Sequence, residues 1–262
     1  MDNKYLDRGS APIGADAWKL LDDTMIAAAK AQLAGRHIIG IEGPFGFGLK
    51  AIPMGDKEEK DGIVESTFIP VSLIKSEFCL GKRDLASYEK DRLAIDLNPV
   101  ARAAIGCAAK EDDIIFHGVK GNPGLLNVKG SCSQTLGKWD TIGTAADQVI
   151  AAVTKLDDAG FHGPYAMALA PAEYNLLLRR YPQGEGTELD HIRTIVTDGV
   201  VKAPALKKGG VLLAAGSQYA SLAIGQDMTV GYIGPGANDL QFQVLESLAL
   251  LVKVPESICV LK

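Results

Sequence analysis

Apolar residues recur at three- and four-residue spacing from Asp16 to Ala34: Trp18, Leu21, Met25, Ala28 or Ala29, and Gln32-Leu33. This spacing predicts an amphipathic helix with one buried stripe. Gly35 is its natural stop, because glycine reaches the left-handed conformation cheaply. A short β-type run follows at His37 to Ile41, with Arg36 at the joint. The turn Glu42-Gly43-Pro44-Phe45-Gly46-Phe47-Gly48 comes next. Beyond it, Ala51-Ile52 on one side and Ile63-Val64 and Thr67-Phe68-Ile69 on the other flank a charged segment, Met54 to Glu65. That pattern predicts a long hairpin with a solvated tip. A two-stranded hairpin alone is marginal in water, so it asks for a surface to lie on, such as a second copy of the chain.

Pro70 to Cys79 alternates enough to predict another strand, and Lys82 to Asp91 a charged helix. Asn98-Pro99 opens a helix expected to reach about Lys110, with Glu111-Asp112-Asp113 as a polar break before Ile114 to Gly118. Gly121 to Gly137 is rich in Gly, Asn, Ser and Pro and reads as a link between two lobes. The second lobe alternates element types. Its first helix spans about Thr144 to Ala159, with Ala146, Val149-Ile150, Val153 and Leu156 as its apolar stripe. A strand at Tyr165 to Leu169 and a helix from Pro171 to near Tyr181-Pro182 come next. An acidic stretch, Gln183 to Asp190, precedes a short helix or turn through Val196, and strands follow at Val200-Val201 and Val211 to Ala214. The tail is nearly all β: Leu222 to Ile224, Met228 to Ile233, Leu240 to Val254 and Ile258 to Leu261. The order is mixed, α+β.

Composition narrows the classes. The chain has 262 residues, 47% of them hydrophobic, enough for one large domain or two modest ones. A formal net charge of −5 gives no global field for nucleic acid or an anionic membrane. Residues 1–12 lack an apolar signal core, and no apolar run approaches the roughly 20 residues that cross a bilayer. Cys79, Cys107, Cys132 and Cys259 form no CxxC pair. These features predict a soluble protein of a reducing, cytoplasmic setting, with the N-terminal arm ordered only if something holds it.

The chemistry-bearing residues do not gather. Gly46-x-Gly48-x-x-Ala51 partly matches a dinucleotide fingerprint. That site needs a helix to begin inside the motif, and Pro53 and Gly55 forbid one. There is no phosphate-binding GxxxxGK[ST] loop and no GxSxG elbow. His37, His117, His162 and His191 are not spaced as metal ligands. The pairs Asp22-Asp23, Asp112-Asp113 and Asp157-Asp158 are sequence neighbours, which do not share a helix face, and read as solvated surface. The expectation is no catalytic residue, no metal and no cofactor. Glu185, Glu188 and Asp190 sit in a glycine-broken stretch that would form a negative collar if copies repeated around an axis.

Five stretches together carry a resemblance to the encapsulins, the bacterial and archaeal nanocompartment shell proteins. They are Ala11-Pro12 with Trp18; Gln32-Leu33-Ala34-Gly35-Arg36 running into Glu42-Gly43-Pro44-Phe45-Gly46; Ile115-Phe116-His117-Gly118 with Gly124-Leu125-Leu126; Gly163-Pro164-Tyr165 with Tyr181-Pro182; and Gly225-Gln226-Asp227-Met228-Thr229-Val230-Gly231-Tyr232. The resemblance implies a Hong Kong 97 phage-type capsid fold: an arm (1–14), a peripheral domain (15–121 and 224–262), an extended loop inserted at about 49–70, and an axial domain (122–223). It implies an icosahedral homo-oligomer of about 60 copies. In such a shell, Ile52, Ile63 and Val64 of the extended loop meet a neighbouring subunit, and Glu185, Glu188 and Asp190 line a five-fold pore. It further implies capture of a cargo enzyme (a peroxidase, a ferritin-like protein or another iron or redox protein) through a C-terminal targeting peptide. The peptide groove maps onto Arg36, Ile38, Gly40, Leu248 and Leu250. Some relatives stack a flavin on a tryptophan that follows the segment matching Phe78-Cys79-Leu80; Arg83 lies near that position here, so no flavin is expected. A phage major capsid protein on the same fold, and a nucleotide-binding enzyme using the glycine turn, are the alternatives.

Overall fold

The protein is described here by a computed structural model covering residues 4–58, 60–182, 184 and 186–262. In chain order the elements are α1 (Ala15–Gln32), β1 (Gly40–Glu42), β2 (Ala51–Glu58), β3 (Val64–Pro70), β4 (Ser72–Gly81), α2 (Lys82–Asp91) and α3 (Asn98–His117). Then come β5 (Gly118–Val119), β6 (Asn122–Pro123), β7 (Cys132–Gln134), α4 (Thr144–Asp158), β8 (Tyr165–Leu169), α5 (Pro171–Leu176) and α6 (Glu188–Ile195). β9 (Gly199–Lys202), β10 (Gly210–Ala214), β11 (Ala220–Pro235), β12 (Asp239–Val252) and β13 (Ile258–Leu261) complete the chain. The chain forms two compact units, one of residues 1–32, 43–111 and 224–249, the other of 33–42, 112–223 and 250–262.

In the first unit, β4 pairs antiparallel with β12, Phe78 standing opposite Phe242. Phe242 is fully buried and anchors the aromatic core: Phe78 stacks on it at 5.4 Å, Tyr232 lies at 5.5 Å, and Trp18 of α1 meets it edge-on at 5.7 Å. Helix α1 turns Ala17, Leu21, Met25 and Ala29 inward, the stripe its spacing dictates. The N-terminal arm does have something to hold it. Arg8 makes a two-pronged contact to the Asp22 carboxylate, at 2.7 and 3.1 Å, with its guanidinium over Trp18 at 4.1 Å.

The hairpin β2–β3 belongs to this unit and is a sheet of two strands. A bulge at Pro53/Gly55 shifts its register. Ile63, Val64 and Phe68 are each close to 60% exposed, so neither face of the outer hairpin is covered within the protomer.

The second unit is built on a five-stranded sheet, ordered β7-β13-β10-β8-β9. Its central strands β8 and β10, Tyr-Ala-Met-Ala-Leu and Gly-Val-Leu-Leu-Ala, are buried at every position. Such unbroken apolar strands need both faces covered. Helix α4 supplies Ala145, Ala146, Val149, Ala152 and Leu156 to this core, with Trp139, Leu177, Leu189 and Ile192. Ile150, placed on that stripe by its neighbour Val149, is instead exposed. The tail strand β13, expected in the peripheral domain, pairs with β10 and β7 in this unit.

Five sequence expectations are corrected. Helix α3 does not stop near Lys110 but runs through Glu111-Asp112-Asp113 to His117. Glu111 and Asp112 are fully buried, so the acidic triplet is not a solvated break. Asp112 accepts the backbone N–H groups of Ala34, at 3.0 and 3.2 Å, and of Gly35, at 2.8 Å. This carboxylate turns Gly35–His37 into a short 3-10 helix, and strand β1 begins only at Gly40. Helix α5 ends at Leu176 rather than near Tyr181, and Leu222 to Ile233 lies within one 16-residue strand, β11.

Candidate functional site

The motif stretches singled out from sequence are fixed by backbone contacts, two of them by contact with each other. In the first unit, the glycine turn bonds to the start of the Gly225–Tyr232 stretch. Phe45 N–H donates to the Ile224 carbonyl at 2.9 Å, and Gly46 N–H to that of Gly225 at 2.7 Å. Gly43 has φ +105°, and a Cβ there would lie 2.5 Å from the Ile224 carbonyl oxygen. Gly225 leaves room for Ser247, whose Oγ accepts the Gln226 N–H at 2.8 Å; a Cβ on Gly225 would meet that oxygen at 2.5 Å. These glycines serve close backbone approach. The turn then feeds strand β2, not a helix, so the pyrophosphate geometry of a dinucleotide site does not form.

In the second unit, Leu125 and Leu126 N–H groups donate to the Ile115 and Phe116 carbonyls at 2.9 and 3.0 Å. Gly118 and Gly124 touch so closely that a Cβ on Gly124 would sit 2.4 Å from the Gly118 nitrogen. The Pro164 carbonyl accepts Ala215 N–H at 2.8 Å. Tyr165 Oη reaches Asp157 Oδ1 and the Phe161 carbonyl, each at 2.6 Å. The Tyr165 hydroxyl, with the hydrogen bond and charge of His162 added, holds the Asp157 carboxyl below the usual carboxylate range. Burial and the Asp157 carboxylate push the Tyr165 phenol up.

The residues assigned to a pore divide. Glu185 lies outside the described residues. Asp190 is exposed and closes a capping box with Thr187: its Oδ2 accepts Thr187 N–H at 2.8 Å, and Thr187 Oγ1 accepts Asp190 N–H at 3.2 Å. The Thr187 N–H holds the Asp190 carboxyl below its ordinary value. Glu188 points the other way. It is fully buried and accepts Gly143 N–H at 2.9 Å and Ala146 N–H at 3.1 Å, at the start of α4, with the Arg179 guanidinium 3.6 Å away. A carboxylate at a helix N-terminus satisfies orphan N–H groups and the helix dipole at once. Glu188 therefore belongs to the fold, not to an aqueous lining.

The residues assigned to a cargo groove also divide. Arg36 and Gly40 are partly exposed, whereas Ile38, Leu248 and Leu250 are each 1% exposed or less. Strand β1 pairs with β11 in parallel, Gly40 opposite Ser221 and Ile41 opposite Leu222, and is a terminal strand of its sheet. Ile41 is 51% exposed. At the end of β1, Lys253 Nζ donates to Glu42 Oε1 at 2.6 Å and to the Ser217 carbonyl at 2.9 Å. The lysine holds the Glu42 carboxyl below its usual range. Of the extended-loop residues, Ile63 and Val64 are exposed and Ile52 is half-buried. Among the described residues, no group of three or more His, Cys, Asp or Glu is placed to hold a metal, and no helix is long and apolar enough to cross a membrane.

Comparison with known proteins matches this arrangement to one family. The family model described as Linocin_M18, encapsulating protein for peroxidase, matches residues 1–249. The type 1 encapsulin shell protein EncA of Myxococcus xanthus is 31% identical, across 98% of this chain and 96% of its own length. The crystal structure of a virus-like particle from Pyrococcus furiosus superposes with a TM-score of 0.76 at 21% identity, covering 95% of this chain and 100% of that one. The capsid of Myoviridae phage XM1 superposes at 0.58 with 13% identity, covering 85% and 88%. On this evidence the chain belongs to the encapsulin shell-protein family and takes the Hong Kong 97 phage-type capsid fold.

Proposed function

We propose that this chain is the subunit of a closed icosahedral shell, of about 60 copies, that encloses a cargo enzyme in the cytoplasm and has no catalytic activity of its own. The observation that carries the reading is the hairpin β2–β3, two strands whose apolar side chains Ile63, Val64 and Phe68 are left open to water. A two-stranded ribbon is marginal by itself. A neighbouring subunit laid against it completes the sheet and covers those side chains. The hairpin supports Ile63 and Val64 as intersubunit contacts, with Ile52 at its base.

The chemistry of the enclosed space would then be the cargo's. The family's description, encapsulating protein for peroxidase, supports a peroxidase-type redox cargo. Strand β1 supports capture of a short C-terminal cargo peptide, because a terminal strand offers main-chain pairing and Ile41 a side-chain contact. Arg36 and Gly40 remain the accessible members of the expected groove. Asp190, with Glu185, is left as the acidic part of a five-fold passage.

Electron microscopy of the chain expressed alone tests the reading. Uniform hollow particles tens of nanometres across, free of nucleic acid, are the expected result. A monomer or small oligomer at micromolar concentration would overturn it. Nucleic acid packed inside would favour a phage-type capsid instead.

A further inference from the structure

Two of the four cysteines stand face to face. Strands β7 and β13 run parallel, and Cys132 is the direct register partner of Cys259. Neighbouring strands lie about 4.8 Å apart, inside the roughly 4.4–6.8 Å between Cα atoms that a disulfide spans. In that register the two side chains lie on the same face of the sheet, one on each of two adjacent strands. Both thiols are free. Cys259 is fully buried, while Cys132, on the terminal strand of the sheet, is partly exposed. Lys155 of α4 brings a positive charge to the pair: its Nζ donates to the carbonyl of Ser133, the residue after Cys132, at 2.7 Å. The other cysteines belong to the first unit and have different surroundings. Cys107 Sγ is 3.4 Å from the Val244 carbonyl, and Cys79 is exposed on β4.

We infer that Cys132 and Cys259 are a peroxide-responsive dithiol, closing to a disulfide that fastens β7 to the C-terminal strand β13. The pair divides the work by access. Cys132, partly exposed on the terminal strand, carries the attacking sulfur. Its sulfur attacks one oxygen of a hydroperoxide; the O–O bond breaks, an S–O bond forms, and the departing oxygen takes the Cys132 thiol proton and leaves as water or an alcohol, giving a sulfenic acid. Cys259 is held as a neutral thiol by burial, the larger cause, and by the neighbouring Cys132. Its sulfur then attacks the sulfenic sulfur; the S–S bond forms, the S–O bond breaks, and the departing hydroxide takes the thiol proton and leaves as water. One peroxide is reduced and two thiols are oxidised. A small dithiol returns the pair to the reduced state by exchange. In a reducing compartment such a bond forms on demand and is removed afterwards.

The test uses the full-length protein in its native assembly. Reduced protein is treated with stoichiometric hydrogen peroxide, quenched with N-ethylmaleimide, digested without reductant and mapped by mass spectrometry. The expected product is a linked pair of peptides carrying Cys132 and Cys259, lighter by two hydrogens and released by dithiothreitol, with Cys107 recovered alkylated. Recovery of Cys132 and Cys259 as separate alkylated or over-oxidised peptides would overturn the inference, as would a link made only through Cys79. This measurement needs no variant to fold. In a second arm, Cys259→Ser removes the resolving thiol, so dimedone should trap sulfenic acid at Cys132 several-fold more than in the parent. Equal trapping in the two proteins would show that Cys259 does not resolve Cys132.

Discussion

Asp112 and Gly35 lie 77 positions apart, and one hydrogen bond of 2.8 Å joins them: the Gly35 backbone N–H to the Asp112 carboxylate. The same carboxylate accepts the N–H of Ala34, and Gly35 has no room for a side chain, since a Cβ would come 2.4 Å from an Ile115 methyl group. The turn that leads into β1 is thus set by a buried carboxyl group. Replacing Asp112 with alanine leaves two buried N–H groups without an acceptor, which costs about 3 kcal/mol. Asp112→Ala should lower the unfolding midpoint by several degrees, while Asp112→Asn, which keeps one acceptor oxygen, should lose about half as much. Differential scanning calorimetry of the assembled protein checks both.

Glu188 yields a sharper contrast. Its carboxylate holds the Gly143 and Ala146 N–H groups inside the fold. Glu188→Ala strands these donors and the nearby Arg179, a loss of about 3 kcal/mol. The expected outcome is lower stability in urea, followed by tryptophan fluorescence, with unaltered cation entry into the particles that remain. Asp190→Ala, at an exposed position, should lower cation entry, while loss of its capping-box bonds costs only about 1 kcal/mol.

Acid should act through Asp157. Its folded-state pKa is depressed, chiefly by the Tyr165 hydroxyl. The stability it contributes is therefore present above the unfolded carboxylate value of about 3.9 and is lost as pH falls through the lower folded value. Tyr165→Phe removes the main cause. The variant should be less stable than the parent at pH 7, and the gap should narrow at pH 3. Thermal unfolding at the two pH values measures it, and a gap that widened in acid would contradict the assignment.

The hairpin separates folding from assembly. Ile63 and Phe68 are exposed in the protomer, so charged substitutions there should change protomer stability by no more than about 0.5 kcal/mol. Ile63→Glu with Phe68→Glu should nevertheless convert shells into small species on a sizing column. Intact particles from the double variant would remove the hairpin from the interface.

Gly43 tests the meeting of the two motif stretches. Its φ of +105° and the 2.5 Å approach of a Cβ to the Ile224 oxygen leave alanine strained. Gly43→Ala should cost about 2 kcal/mol, read as a lower unfolding midpoint in calorimetry.

Local patterns were a good guide where each residue's surroundings follow from its neighbours. The stripe of α1, the charged helix α2, the Asn98-Pro99 start of α3 and the strands β8, β10 and β13 could all be read from spacing, caps and apolar runs. What could not be read was burial of charge. Asp112 and Glu188 have the composition of surface, yet their partners lie tens of residues away, beyond the reach of any window. The groove suffered from the converse problem. Ile38, Leu248 and Leu250 have the chemistry a groove needs, but the protomer's own core covers them. One signal was available: Glu188 sits one residue after Thr187 and two before Asp190, the spacing of a helix cap, which places it in the first turn of a helix and not in a loose loop.

The open hairpin also sets a problem that exists before any shell does. A newly made protomer shows water a β-ribbon bearing Ile63, Val64 and Phe68, the kind of edge on which chains aggregate. The same ribbon carries Asp56, Lys57, Glu58 and Glu65, interrupted by Gly55 and kinked by its bulge. Charges and a bulge act as gatekeepers, opposing indiscriminate strand stacking while leaving a correctly placed neighbour free to pair. The charged residues of the ribbon thus oppose aggregation of a protomer whose hairpin no neighbour has yet covered.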